Sequence, residues 1–151
     1  MQLPTIKDIQ AKQQELADML SCFASAAGGA RTINALGREI NLAEGEIYIG
    51  AIVNTDGTGH HTIILPGDVE KNWGDALDWA KSIGGDLPNR IEQAMLYANH
   101  AERFEKRAYW SNQKHEADYG FAWFQGFYDG SQYYGSQDDE LRAVAVRRLP
   151  I

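Results

Sequence analysis

"NWGDALDWAKSIGGDLPNRIEQAMLY", residues 72–97, reads as two helices divided by a break. Asn72 is the N-cap of the first, with Asp75 in its first turn, and Gly84-Gly85 ends the helix over 72–85. Trp73, Ala76, Leu77, Ala80 and Ile83 share one face. Pro88 marks the break, and Asn89 with Glu92 opens a second helix over 89–104 with capping-box spacing. Strand signals lie on either side. Upstream, "IYIGAIV" (47–53) and "HHTIILP" (60–66) flank "NTDGTG", a β-hairpin with Asp56-Gly57 in its turn. Downstream, "AYWSN", "FAWFQGFY" and "LRAVAVRRL" are strand-like and separated by Gly- and Asp-rich turns. Strands and helices are segregated, which predicts an α+β fold with a mainly antiparallel sheet.

The N-terminal part follows another rule. Residues 5–23 read as a helix, with Thr5 as N-cap and Asp8 three residues on. Ile6, Ile9, Leu16, Leu20 and Phe23 fall on alternating three- and four-residue steps, with Gln13 in the missing place. That is an a/d heptad seam, which predicts a coiled coil and a homo-oligomer, a trimer being favoured. A helix lying on the domain's own surface is the alternative. "AAGGA" (26–30) reads as a joint, and 31–45 as an irregular β-rich connector around Gly37 and Gly45. The expected organisation is thus an oligomerisation helix over 1–27, a linker over 28–45 and a binding domain over 46–151.

Composition narrows the function. A chain of 151 residues is long enough for one domain with a core. The formal net charge of −7 disfavours nucleic acid, since phosphate binding is driven by Lys and Arg. No apolar run reaches the length of a membrane span, and "MQLPTIKDIQ" lacks the basic start and apolar core of a secretory signal. Cys22 is the single cysteine, so neither an intramolecular disulfide framework nor a multi-cysteine metal site is expected. Synthesis in a cytoplasm is expected.

The order of elements, with particular residues, resembles the C-type-lectin-like domains of the Lcl C-terminal type, found in phage tail and bacterial surface proteins. "NWGDALDWAKSIGGDLPNRIEQAMLY" and "YWSN" carry the resemblance, followed by "AWFQGFYDG" and the closing "RAVAVRRL". It covers roughly 46–151, leaving the N-terminal helix outside. It implies a fold in which the two ends of the domain pair and a loop-rich region presents a binding surface. It also implies scaffold roles for Trp73, Leu87, Pro88, Glu92, Trp110, Trp123, Phe127 and Arg147.

Catalytic signatures are weak. Ser-His-Asp spacing, a phosphate loop and a His-Glu-x-x-His helix are missing, so no enzyme and no cofactor are expected. His60 and His61 would point to opposite faces of a strand and read as ordinary polar surface residues. Asp138, Asp139 and Glu140 read as a solvated turn, with a Ca²⁺ site as the alternative.

The strongest functional signal is "DYGFAWFQGFYDGSQYYGSQDDE" (118–140), which holds half of the chain's aromatics among Gly, Ser, Gln and Asp. Phe121, Trp123, Gln125 and Phe127 should share one strand face, and Ala122, Phe124, Gly126 and Tyr128 the other. The resemblance turns Trp123 and Phe127 inward, so Phe124 and Tyr128 should face out. Tyr amid small polar residues is the composition of binding loops. Phe124, Tyr128, Gln132, Tyr133 and Tyr134 are therefore expected to form one ligand-binding surface, with Asn112, Lys114 and His115 at its rim. The function expected is a non-enzymatic receptor-binding module of a phage tail, located in the virion and attaching to a host-surface protein or glycan beside other tail proteins. A structural assembly subunit and an intracellular phage effector are the alternatives.

Overall fold

A computed structural model of the chain describes the backbone of residues 3–26 and 29–151, with side chains over 3–20 and 29–151. The chain is α+β and divides into two compact units, 1–46 and 47–151.

The first unit holds helix α1 (Ile6–Ala26) and a hairpin of β1 (Arg31–Ala35) and β2 (Arg38–Leu42). Thr5 caps α1. Its hydroxyl accepts from the Asp8 N–H at 3.2 Å, and its own N–H donates to the Asp8 carboxylate at 2.8 Å. Every described side chain of α1 is exposed, including Ile6, Ile9, Gln13, Leu16 and Leu20. Phe23, the last position of the expected seam, lies outside the described side chains. The segment expected to be irregular is a regular antiparallel hairpin, with Ile33 opposite Ile40. Its turn takes Leu36 and Gly37 at φ 51° and 76°, the left-handed pair that matches strand twist in two-residue turns. A leucine there carries no turn signal, which is why the hairpin escaped the sequence.

The second unit opens with β3 (Ile47–Val53) and β4 (Gly59–Ile64), joined by the expected Asp56-Gly57 turn. The last strand, β10 (Val146–Pro150), pairs with β4, giving the sheet order β10-β4-β3. The end of the domain therefore returns to the opening hairpin, but through its second strand and not its first. A five-stranded sheet has the order β5-β9-β6-β7-β8, made from β5 (Val69–Lys71), β6 (Ala108–Lys114), β7 (Phe121–Gly126), β8 (Gln132–Ser136) and β9 (Leu141–Ala143). All its pairings are antiparallel except β6 with β9.

Helix α2 (Trp73–Ser82) and helix α3 (Arg90–His100) begin at the expected caps. The Asn72 side chain accepts from the Asp75 N–H, and Asn89 and Glu92 form the full capping box. After α3 a 3-10 turn runs over Ala101–Arg103, so the regular helix stops short of 104. The helices cover opposite faces of the five-stranded sheet. Trp73, Ala76 and Ala80 of α2 pack with Trp110, Ala122 and Ala143. Leu96 of α3 packs with Tyr109 and Phe127, and with Ile49, Ile64 and Val146 of the smaller sheet. Tyr109 and Trp110 are neighbours on β6, so they face opposite ways and each serves one core. A sheet buried on both faces overturns the expected phase of β7. Phe124 faces the α2 core beside Trp110, with ring centroids 6.5 Å apart.

Polar contacts through Glu92 tie α3 to the smaller sheet. Glu92 is fully buried, and its carboxylate receives two bonds from Arg148 at 2.7 and 2.9 Å and one from Thr62 at 2.7 Å. Arg148 also reaches Asp86 at 2.8 Å and the Leu87 carbonyl at 3.1 Å. Burial alone pushes the Glu92 carboxyl up, but the bonds from Arg148, the Asn89 N–H and Thr62 outweigh it and hold the group below the usual carboxylate range. The clasp is made by Arg148, the neighbour of the Arg147 scaffold position. The two histidines diverge as expected, His60 to Glu92 at 3.1 Å and His61 to the Tyr48 hydroxyl at 2.9 Å. His61 is nonetheless a core residue, 1 % exposed, with the Tyr48 ring 5.7 Å away.

Candidate binding face

α3 covers only part of its face of the five-stranded sheet. Beyond its first residue, Arg90, the face is occupied by rings. Trp123 on β7 stands opposite Tyr134 on β8, with centroids 5.4 Å apart and rings nearly perpendicular. The His115 ring lies 5.3 Å from Trp123 and 4.1 Å from Tyr134, and Phe121 meets Tyr134 edge-on at 5.9 Å. β8 is an edge strand, so Tyr133, though on the opposite face, brings its ring round the edge and stacks on Tyr134 at 4.6 Å. Hydrogen bonding to Tyr133 pushes the Tyr134 phenol above its ordinary range.

The loop carrying these rings is tied down. His115 Nδ1 accepts from the N–H groups of Ala117 and Asp118 at 3.2 and 3.0 Å, so a neutral His115 has its proton on Nε2. The Gln137 side chain donates to the carbonyls of Tyr119 and Phe121, both at 3.1 Å. Trp123 Nε1 donates to Glu116 at 3.0 Å. Glu116's own backbone N–H, and then this indole bond, hold its carboxyl below the usual range. The rings that remain open are Tyr119, Tyr133 and Phe121, exposed by 88 %, 58 % and 37 %.

Beside the ring group lies an open groove of about 660 Å³, lined by Asn89, Arg90, Ile91, Ala94, Gln113 and Gln132. It lies beside the stretch where β6 leaves its register, between Trp110 and Lys114. In that bulge the Asn112 N–H bonds the Pro88 carbonyl at 2.9 Å, and the Gln113 side chain accepts the Arg90 N–H at 2.9 Å. Arg90 lays its guanidinium 3.7 Å over the Trp123 ring, joining groove and rings.

The eight residues expected to bind do not form one surface. Tyr133, Tyr134 and His115 come together, and Gln132 lines the groove. Phe124 packs against the α2 core and meets the Tyr133 ring edge-on, with centroids 6.4 Å apart. Tyr128 is exposed in the turn after β7, and no ring contact among the described residues joins it to the group. Asn112 donates to Asp86 at 2.9 Å within the Arg148 clasp. Lys114 lies on the α2 face, 5.8 Å from the Trp73 ring. Trp123, a scaffold position by the resemblance, is half-buried and packs with His115 and Tyr134 in the ring group. Arg90, Gln113, Tyr119 and Phe121 were not foreseen. Arg90 and Gln113 carry no pattern that could have revealed them, because a bulge brings them together. Asp138, Asp139 and Glu140 are exposed in the turn before β9, and among the described residues no three metal-ligating side chains converge.

No helix among the described residues is long and apolar enough to cross a membrane. Comparison with protein-family models and with curated proteins gives no match.

Proposed function

We propose that residues 47–151 are a non-enzymatic binding module of C-type-lectin-like type, and that its binding face is the ring group of Trp123, Tyr134, His115, Phe121 and Tyr133. The chain presents the module in several copies through α1, as part of a phage tail or a similar surface assembly. Its ligand is a glycan or protein on a host surface. One observation supports this most: large rings stay exposed at the end of a sheet whose loop is pinned by Gln137, His115 and Glu116. A rigid, exposed aromatic surface binds at low entropy cost, and a solvated one without a ligand is a liability. Linked copies then add avidity without new contacts.

The test is binding of the purified full-length protein to whole bacterial cells, with Tyr133→Ala as the comparison. Binding that the substitution removes supports the reading. Failure to bind any cell, together with loss of self-association in Tyr133→Ala, would instead make the same face an assembly contact between subunits.

A further inference from the structure

The groove beside the rings presents a ligand with a set of unbonded N–H donors. Asn89 Oδ1 accepts from the Glu92 N–H at 2.8 Å, Gln113 Oε1 from the Arg90 N–H at 2.9 Å, and Gln132 Oε1 from Arg90 Nε at 3.0 Å. Each of these partners can only donate, so all three amides must turn their oxygens to the protein. The Gln132 amide nitrogen is occupied as well, by the Arg90 carbonyl at 2.6 Å and by Gln125 at 3.1 Å. The groups left without any bond are N–H donors: Gln113 Nε2, Asn89 Nδ2 and the two Nη groups of Arg90. None of them bonds another described residue.

Arg90 is also held in one plane. Its guanidinium lies on Trp123, and its Nε is fixed by Gln132, which is itself locked by the buried Gln125. Glu116 feels the Arg90 charge, but its carboxylate is turned to the Trp123 indole at 3.0 Å and forms no ion pair with Arg90. The fork of Nη groups is left open on an otherwise acidic chain.

The geometry points to a binding site for the carboxylate of an acidic sugar. The Arg90 Nη pair takes both carboxylate oxygens, a planar match that an ammonium cannot make. Gln113 Nε2 and Asn89 Nδ2 donate to ring or hydroxyl oxygens, and Ile91 with Ala94 meets the C–H face. What sets an acidic sugar apart from a neutral one here is the carboxylate itself, which alone can meet the Arg90 fork with two acceptor oxygens in one plane. This assignment deepens the binding reading above and rests on it.

The experiment is an NMR titration of the ¹⁵N-labelled full-length protein with sodium glucuronate and sodium N-acetylneuraminate. Glucuronate methyl ester, glucose and sodium acetate serve as controls. The expected result is movement of the Arg90 Nε–H and the Gln113 and Asn89 side-chain amides with an acidic sugar, and much less with any control. Arg90→Gln and Arg90→Lys should each weaken the response about tenfold or more, Arg90→Lys because it keeps the charge and loses the fork. Equal shifts with the methyl ester or with acetate overturn the acidic-sugar assignment, as does no shift with either acid. Cell binding that Tyr133→Ala removes and Arg90→Gln leaves intact overturns this site while the aromatic reading stands.

Discussion

Arg148 and Glu92 set the position of everything at the start of α3. Their bonds fix the helix end that carries Arg90 to the edge of the rings. Removing one member of a buried pair leaves the other uncompensated, so Glu92→Gln should cost roughly 3 kcal/mol at neutral pH. The pH dependence has a definite sign. Glu92 has a lower carboxyl range folded than unfolded, so its stabilising contribution is present above about pH 4.5 and is lost as pH falls through the folded value. Urea unfolding across pH 2–7 should show that acid limb in the native chain and a shallower one in Glu92→Gln. The two tryptophans make a second residue-scale comparison. Trp110 is fully buried and Trp123 half-buried. Trp110→Ala should cost roughly 3–5 kcal/mol and Trp123→Ala clearly less. Equal losses would place Trp123 in the core after all.

At the scale of elements, β7 shows why alternation misleads. Its period of two was legible, and the grouping of Phe121, Trp123, Gln125 and Phe127 on one face holds. Which face is buried was a separate question, and the answer is both. α2 covers Ala122 and Phe124, α3 covers Phe127, and only the part of the strand beyond Arg90 is left open. A strand buried on two faces carries no polar side to orient it. α1 presents the opposite case. Its spacing is legible, and its apolar side chains are exposed along the helix. A seam of this kind is stable in water only when covered. Light scattering at micromolar concentration should give a trimer or a dimer for the full chain, and a folded monomer once residues 1–27 are removed. A monomeric full chain at the same concentration would end the coiled-coil reading.

At the scale of the whole molecule, function depends on which rings lie together. Tyr133 stacks on Tyr134 and is open, whereas Tyr128 stands apart in the turn after β7. Central aromatic anchors carry most of an interface's energy, so Tyr133→Ala should weaken cell binding about thirtyfold. Tyr128→Ala should leave it unchanged, and neither should move the melting temperature by much. Equal effects of the two would restore the wider surface that composition alone suggested. The amino-acid sequence by itself determined the caps at Asn72 and Asn89, the break at Pro88, the Asp56-Gly57 hairpin, the heptad spacing of α1 and the α+β class. The caps, the break, the hairpin and the heptad spacing are set by neighbours three or four residues apart or by turn chemistry, and the class by the order of the elements along the chain. Only the tertiary structure decided that Phe124 packs against the α2 core while Trp123 joins the rings, that Arg148 clasps Glu92, and that Arg90 meets Gln113 and Gln132. These contacts span 23 to 56 residues of chain. They depend on two helices closing over opposite faces of one sheet, a choice that no local pattern encodes.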